Sequence, residues 1–267
     1  MAVNPKLVAR IESEEPTQRL AVLIDADNAQ AAVIEALLAE VARFGEATVK
    51  RIYGDFTAPT SGQWKKVLDQ YAIKPVQQFA YTTGKNATDS MLIIDAMDLL
   101  YTRRFDGFCL VSSDSDFTGL AVRIREEGLT VYGFGEQKTP RAFRNACHKF
   151  ILTEVLRPIA TEATANATTS KNDTKAGQNA MRASEPKADI PREFFTQALE
   201  QASDERGWAH LGTFGSFLTK LRSDFDPRSF GYKKLSELVK ARNDLFEIEE
   251  RHLPSGMKDL YIRIRAR

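Results

Sequence analysis

Between Ala160 and Asp189 the chain runs ATEATANATTSKNDTKAGQNAMRASEPKAD without one Leu, Ile, Val or aromatic side chain. A segment with so little apolar surface cannot offset the entropy lost on ordering, so residues 158–189 are expected to form a flexible linker. The chain therefore cannot close around one continuous core. It is expected to fold as two units, 18–157 and 190–267, each long enough to bury a core of its own. No internal repeat relates them.

The first unit alternates strand and helix signals. The apolar run LAVLID (20–25) precedes a helical pattern AQAAVIEALLAEVARFG that closes on Gly45. ATVKRIYGD reads as a strand and GQWKKVLDQYA as a short helix. IKPVQQFAY is the next strand, with Pro75 arguing for an edge position or a strand start. ATDSMLIIDAMDLLYTRRF is a helix with Thr88 as its cap, followed by strand FCLVSS, helix FTGLAVRIREEG, strand LTVYGFG and a helical and extended tail to Arg157. This alternation predicts a three-layer α/β domain, its mostly parallel sheet covered by helices on both faces. The second unit reads as three helices followed by two strands, LFEIEE and KDLYIRIRAR, joined through RHLPSGM. That is the outline of a small winged-helix domain.

Several function classes drop out. The net charge of +1 gives no global pull toward nucleic acid or membrane, so any such attraction must be local. Two cysteines, Cys109 and Cys147, make neither a disulfide framework nor a thiolate zinc site. Cys109, inside an apolar run, reads as a small core residue. There is no P-loop, no serine nucleophile elbow and no H-E-x-x-H, and YGFGEQ lacks the spacing of a dinucleotide loop. No stretch has the character of a signal peptide or a membrane helix, which points to a cytoplasmic protein. On that reading the N-x-Thr triplets at Asn86, Asn166 and Asn172 are chance.

The chemistry sits in the acids. In open α/β sheets, ligands bind beyond the carboxyl ends of the strands, and Asp25, Asp27, Asp114 and Asp116 follow two strands there, in LIDADN and LVSSDSDF. Asp89 lies in the first turn of the helix that precedes the second of these. If the two strands are neighbours, the carboxylates converge on one crevice, where they repel unless a cation lies between them or one keeps its proton. A hard divalent ion such as Mg2+ suits carboxylate and water oxygens, and the fitting reaction is phosphodiester hydrolysis. Each Asp also has a structural use, as a helix cap or as a charge favoured by the helix dipole. Asp95 and Asp98 lie about 120° and 180° round the helix from Asp89 at about 100° per residue. Asp98 is assigned to the solvated face, and Asp95 is kept as a supporting or metal residue. Asn28, beside Asp25, can cap the helix or hold a phosphate or a metal-bound water. Lys85, Lys138, Arg141 and Arg144 could meet phosphate oxygens around the crevice or serve as solvated loop charges.

With LIDADN, KNATDS and LVSSDSDF in this order, residues 18 to about 157 resemble the NYN domain, a branch of the PIN-like nucleases, in its bacterial LabA-like form. The strand followed by S-x-D-S-D-F is the most specific of the three. The resemblance implies a PIN-like (Rossmannoid) fold and a Mg2+- or Mn2+-dependent (endo)ribonuclease. Asp25, Asn28, Asp89, Asp114 and Asp116 match its catalytic positions, with Asp25, Asp89, Asp114 and Asp116 as metal ligands. Where the family has Lys-Gly before the helix-start acid, this chain has Lys85-Asn86. The segment GWAHLGTFGSFLTKLRSDFDPRSFGYKKLSELVKARNDLFEIEE (207–250) resembles the OST-HTH, or LOTUS, domain, which implies an RNA-binding module, or a protein-docking one in some relatives. There Arg228, Lys233, Lys234, Lys240 and Arg242 cluster beside Phe230 and Tyr232, giving cations for phosphates and rings for bases. The same rings could equally be core. The expectation is a metal-dependent ribonuclease with a tethered RNA-binding module. The alternatives are a non-catalytic RNA-binding adaptor and, since LIDADNA mimics a D-x-D start, a haloacid-dehalogenase-type phosphatase; Ala29 stands where the latter usually has Thr or Val.

Overall fold

The structure is a computed structural model describing residues 17–57, 62–79, 87–156, 192–252 and 258–265. The expected linker and Lys85 lie outside the described residues. Strands β1 (Arg19–Asp25), β2 (Glu46–Gly54), β3 (Lys74–Gln77), β4 (Gly107–Val111), β5 (Thr130–Gly135) and β6 (Lys149–Leu152) form one sheet, ordered β3-β2-β1-β4-β5-β6. Every neighbouring pair is parallel. The connecting helices are α1 (Ile34–Val41), α2 (Gly62–Gln70), α3 (Ala87–Tyr101), α4 (Thr118–Glu126) and α5 (Arg141–Ala146).

Two cores explain why β1 reads as an unbroken apolar run rather than an alternating one. Leu20, Val22 and Ile24 pack with Ile34, Leu37, Val41 and Trp64 on one face of the sheet. Ala21 and Leu23 pack with Leu92, Ala96, Leu120 and Phe143 on the other. Both faces of β1 are buried, so neither set of positions can be polar. Cys109 is buried, as expected of a core residue. Pro75 falls in β3, at the edge of the sheet, where a missing N–H is tolerated. The first helical segment starts later than its pattern suggested, with a 3-10 turn at Ala31–Val33. The tail after β5 proves to be a short helix, α5, and a sixth strand, β6.

The two glycines of YGFG are steric requirements of the close packing around β5. A Cβ on Gly133 would meet the Phe150 ring and, at 2.6 Å, the Cys147 sulfur; one on Gly135 would lie 2.5 Å from the Ser112 carbonyl oxygen. Gly133→Ala should therefore destabilise the domain by about 1–3 kcal/mol, the usual cost of overpacking a core. Chemical denaturation would show it as a lower midpoint with an unchanged slope.

In the C-terminal unit, α6 (Arg192–Ala202), α7 (Leu211–Leu221) and α8 (Leu235–Ala241) pack against a sheet of β7 (Ala209–His210), β9 (Lys258–Ile264) and β8 (Phe246–His252). Phe195, Phe214, Leu218, Leu238, Phe246 and Ile262 form its core. The winged-helix outline holds with one addition. Ala209 and His210, expected inside a helix, pair antiparallel with Ile262 and Tyr261.

The segment after α7 lies against the outer edge of β6. The Phe150 N–H donates to the Ser223 carbonyl at 2.8 Å, and the Ser223 hydroxyl donates to the Arg144 carbonyl at 2.6 Å. Among the described residues no helix is long and apolar enough to cross a membrane.

Candidate metal centre

The strand order reverses direction between β1 and β4, which are direct neighbours, and this is where an open parallel sheet forms a crevice. Asp25, the last residue of β1, is fully buried beneath it. Its Oδ1 accepts the Asp27 N–H at 2.9 Å. Its Oδ2 accepts the Asn28 amide and the Ser112 hydroxyl, each at 2.8 Å. Burial raises the Asp25 pKa, opposed by the hydrogen bonds from Ser112 and Asn28. Ser112 Oγ also accepts the Asp114 N–H at 3.0 Å. Asp25 thus works as a hub that fixes the chain leaving β4.

Asp114 caps a 3-10 turn, Ser115–Phe117, and its Oδ1 accepts the Asp116 N–H at 2.9 Å. Phe117 is buried in the core, which anchors the turn and leaves Asp116 exposed on its other side. Asp89 rises from the first turn of α3. Carboxylate oxygens of Asp89, Asp114 and Asp116 all lie within 4.8 Å of one another. Burial first, then the charges of Asp25, Asp114 and Asp116, push the Asp89 carboxyl up to about 6.

This donor set fits a hard divalent cation. It offers three carboxylates, no nitrogen or sulfur, and a repulsion that an ion between them would relieve. Asp95 is engaged elsewhere, with Arg51 and the Tyr53 hydroxyl. That contact ties α3 to β2 and so holds the helix that carries Asp89. Asp98 is exposed, as expected.

The expected phosphate-binding cations divide into groups. Arg141 is exposed at the start of α5, and Lys233 and Lys234 are exposed in the C-terminal unit. Lys138 pairs with Glu136 at 2.8 Å, Lys240 with Glu250 at 3.7 Å and Arg242 with Asp244 at 3.0 Å. Arg144 and Arg228, expected on phosphates, instead meet carboxylates of the opposite unit. Arg144 Nη1 lies 2.7 Å from Asp224, and Arg228 grips both oxygens of the buried Glu40 at 2.9 and 3.0 Å while also holding Asp226. No local pattern announces such a pair, since Glu40 and Arg228 are 188 residues apart. The sequence gives no role to Ser112, although it is the first residue of the S-x-D-S-D-F motif.

Comparison with known proteins identifies both units. The sequence profile of the NYN domain matches residues 19–154, and that of the OST-HTH/LOTUS domain matches residues 187–257. No curated protein matches the chain. Among solved structures, an uncharacterized protein from Nitrosomonas europaea is 52% identical, over 37% of this chain and 94% of its own, with a TM-score of 0.30. A protein of unknown function from Vibrio parahaemolyticus is 18% identical, over 52% of this chain and 94% of its own, with a TM-score of 0.44. A protein fragment from Chromobacterium violaceum is 35% identical, over 28% of this chain and 78% of its own, with a TM-score of 0.24. The NYN match spans half of the sequence and coincides with the three-layer domain and its acidic crevice; the chain belongs to the NYN domain family, within the nuclease superfamily, and carries a C-terminal OST-HTH/LOTUS domain.

Proposed function

We propose that the chain is a metal-dependent ribonuclease that captures RNA through its C-terminal domain and hydrolyses it at the acidic crevice. One observation carries the reading: Asp89, Asp114 and Asp116 come from two separate segments, yet their oxygens meet within 4.8 Å at the switch point of the sheet. Those three side chains would hold Mg2+ or Mn2+. When bound, the ion supplies water activation and screening of phosphate charge. Asp25 adds negative charge beneath the site and keeps Ser112 and Asn28 in place. Asn28, its amide N–H given to Asp25, presents its amide oxygen to orient a water. Without an ion, burial and the neighbouring carboxylates hold the Asp89 carboxyl up near 6, and an ion bound there would displace its proton. Tethering to an RNA-binding module raises the effective concentration of substrate at the crevice.

The test is incubation of labelled single-stranded and hairpin RNAs with Mg2+, Mn2+ or EDTA. Cleavage with either metal and none in EDTA is expected. RNA that is bound but stays intact under every condition would establish the non-catalytic adaptor instead.

A further inference from the structure

The contact between the two units leaves a cleft of about 570 Å³, walled by residues of both. From the N-terminal unit come Gln137, Arg144 and Glu154; from the C-terminal unit come Arg222, Phe230, Tyr232 and Lys233. Phe230 and Tyr232 are half-buried, and Gly231 between them has φ +83°, a left-handed conformation that suits glycine and brings both rings and Lys233 to one short turn. Phe230 is braced from behind by Phe225, with ring centroids 6.0 Å apart.

The polar part of this wall is cationic in excess and incompletely paired. Asp224 serves two guanidinium groups at once, Arg144 at 2.7 Å and Arg222 at 3.3 Å. Arg144 Nε and Ser229 Oγ are buried without a hydrogen-bond partner among the described residues. Lys233 is exposed at the rim. Rings with surplus cations fit a base and its phosphate.

Position points the same way. Gln137 follows β5 and Glu154 follows β6, so the cleft opens at the carboxyl edge of the sheet that also carries the acidic crevice. Parallel strands lie about 4.8 Å apart, which sets β6 about 10 Å from β4.

We propose that the cleft binds one nucleotide of an RNA strand that continues into the acidic crevice, its base against Phe230 and Tyr232 and its phosphate at Arg222 and Lys233. Both domains then read a single strand, and their docking builds the site. The assignment rests on the ribonuclease reading above.

The experiment measures binding of a short fluorescent single-stranded RNA to the full chain in EDTA, across a range of salt. Lys233→Gln and Arg222→Gln should each weaken binding several-fold and lower the slope of log affinity against log salt by about 0.7 per lost phosphate contact. Tyr232→Ala should weaken it about 5-fold or more while leaving that slope unchanged. Glu154→Gln, a change on the opposite domain, should tighten binding by removing a negative charge from the same cleft. The three charge-to-amide changes are at exposed positions, and unchanged melting temperatures would separate lost contacts from lost folding. Binding that falls only in Lys240→Gln, with Lys233→Gln, Arg222→Gln and Glu154→Gln indistinguishable from the parent, overturns the cleft assignment and leaves the ribonuclease reading in place. A parent chain that binds no RNA overturns both.

Discussion

Asp114→Asn is expected to lower RNA cleavage by at least about 100-fold, because loss of even a supporting partner of a metal ligand commonly costs 10–100-fold. The substitution keeps the oxygen that accepts the Asp116 N–H, and asparagine caps a helical turn as well as aspartate does. Thermal stability without metal should therefore change little, and RNA binding in EDTA not at all. Cleavage that persists at the parental rate in a clean preparation would remove the acidic cluster from the mechanism.

The second large effect concerns Asp89 and pH. Its carboxyl is raised from 3.8 in the unfolded reference to about 6 in the folded chain, so the native state holds this proton more tightly. The group therefore lowers stability progressively as pH rises from about 3.8 to 6, and its penalty is complete above 6. An ion that replaces the proton reverses the penalty. Mn2+ should bind about tenfold more tightly for each pH unit gained below 6 and level off above it, since the ligand must be deprotonated. At 100 times its dissociation constant the ion would add about 2.7 kcal/mol to stability. Melting scans with and without Mn2+ at pH 5 and pH 7 check this, and the larger shift is expected at pH 7. Asp89→Asn should melt higher than the parent in EDTA and lose most of the Mn2+ response. Equal shifts at the two pH values, with Asp89→Asn responding to Mn2+ as the parent does, would mean that Asp89 is not a ligand.

The parts of this molecule that were legible beforehand are those in which neighbours in sequence share one physical task. LAVLID and FCLVSS announce strands buried on both faces because each of their apolar residues packs into one core or the other. Their acids could then be placed at the carboxyl ends of those strands without coordinates. The short pieces were harder. β6 has four residues and β7 two, too few to show a period, and each exists through its pairing partner. Asp25 looked like one acid among several, whereas its burial and its bonds to Ser112 and Asn28 follow from β4 lying beside β1. Arg144 and Arg228 carried the charge expected of phosphate contacts, but their partners Asp224 and Glu40 are brought to them only by the docking of the two units.

The segment around Ser223 also has a protective side. β6 is the last strand of its sheet, and an uncovered last strand invites pairing with a strand of another molecule. By taking the Phe150 N–H, the C-terminal unit shields the N-terminal half from self-association. A truncated chain ending near residue 156 would bare that border, so its expected fault is clumping as well as poor substrate capture. Light scattering alongside the activity measurement separates the two.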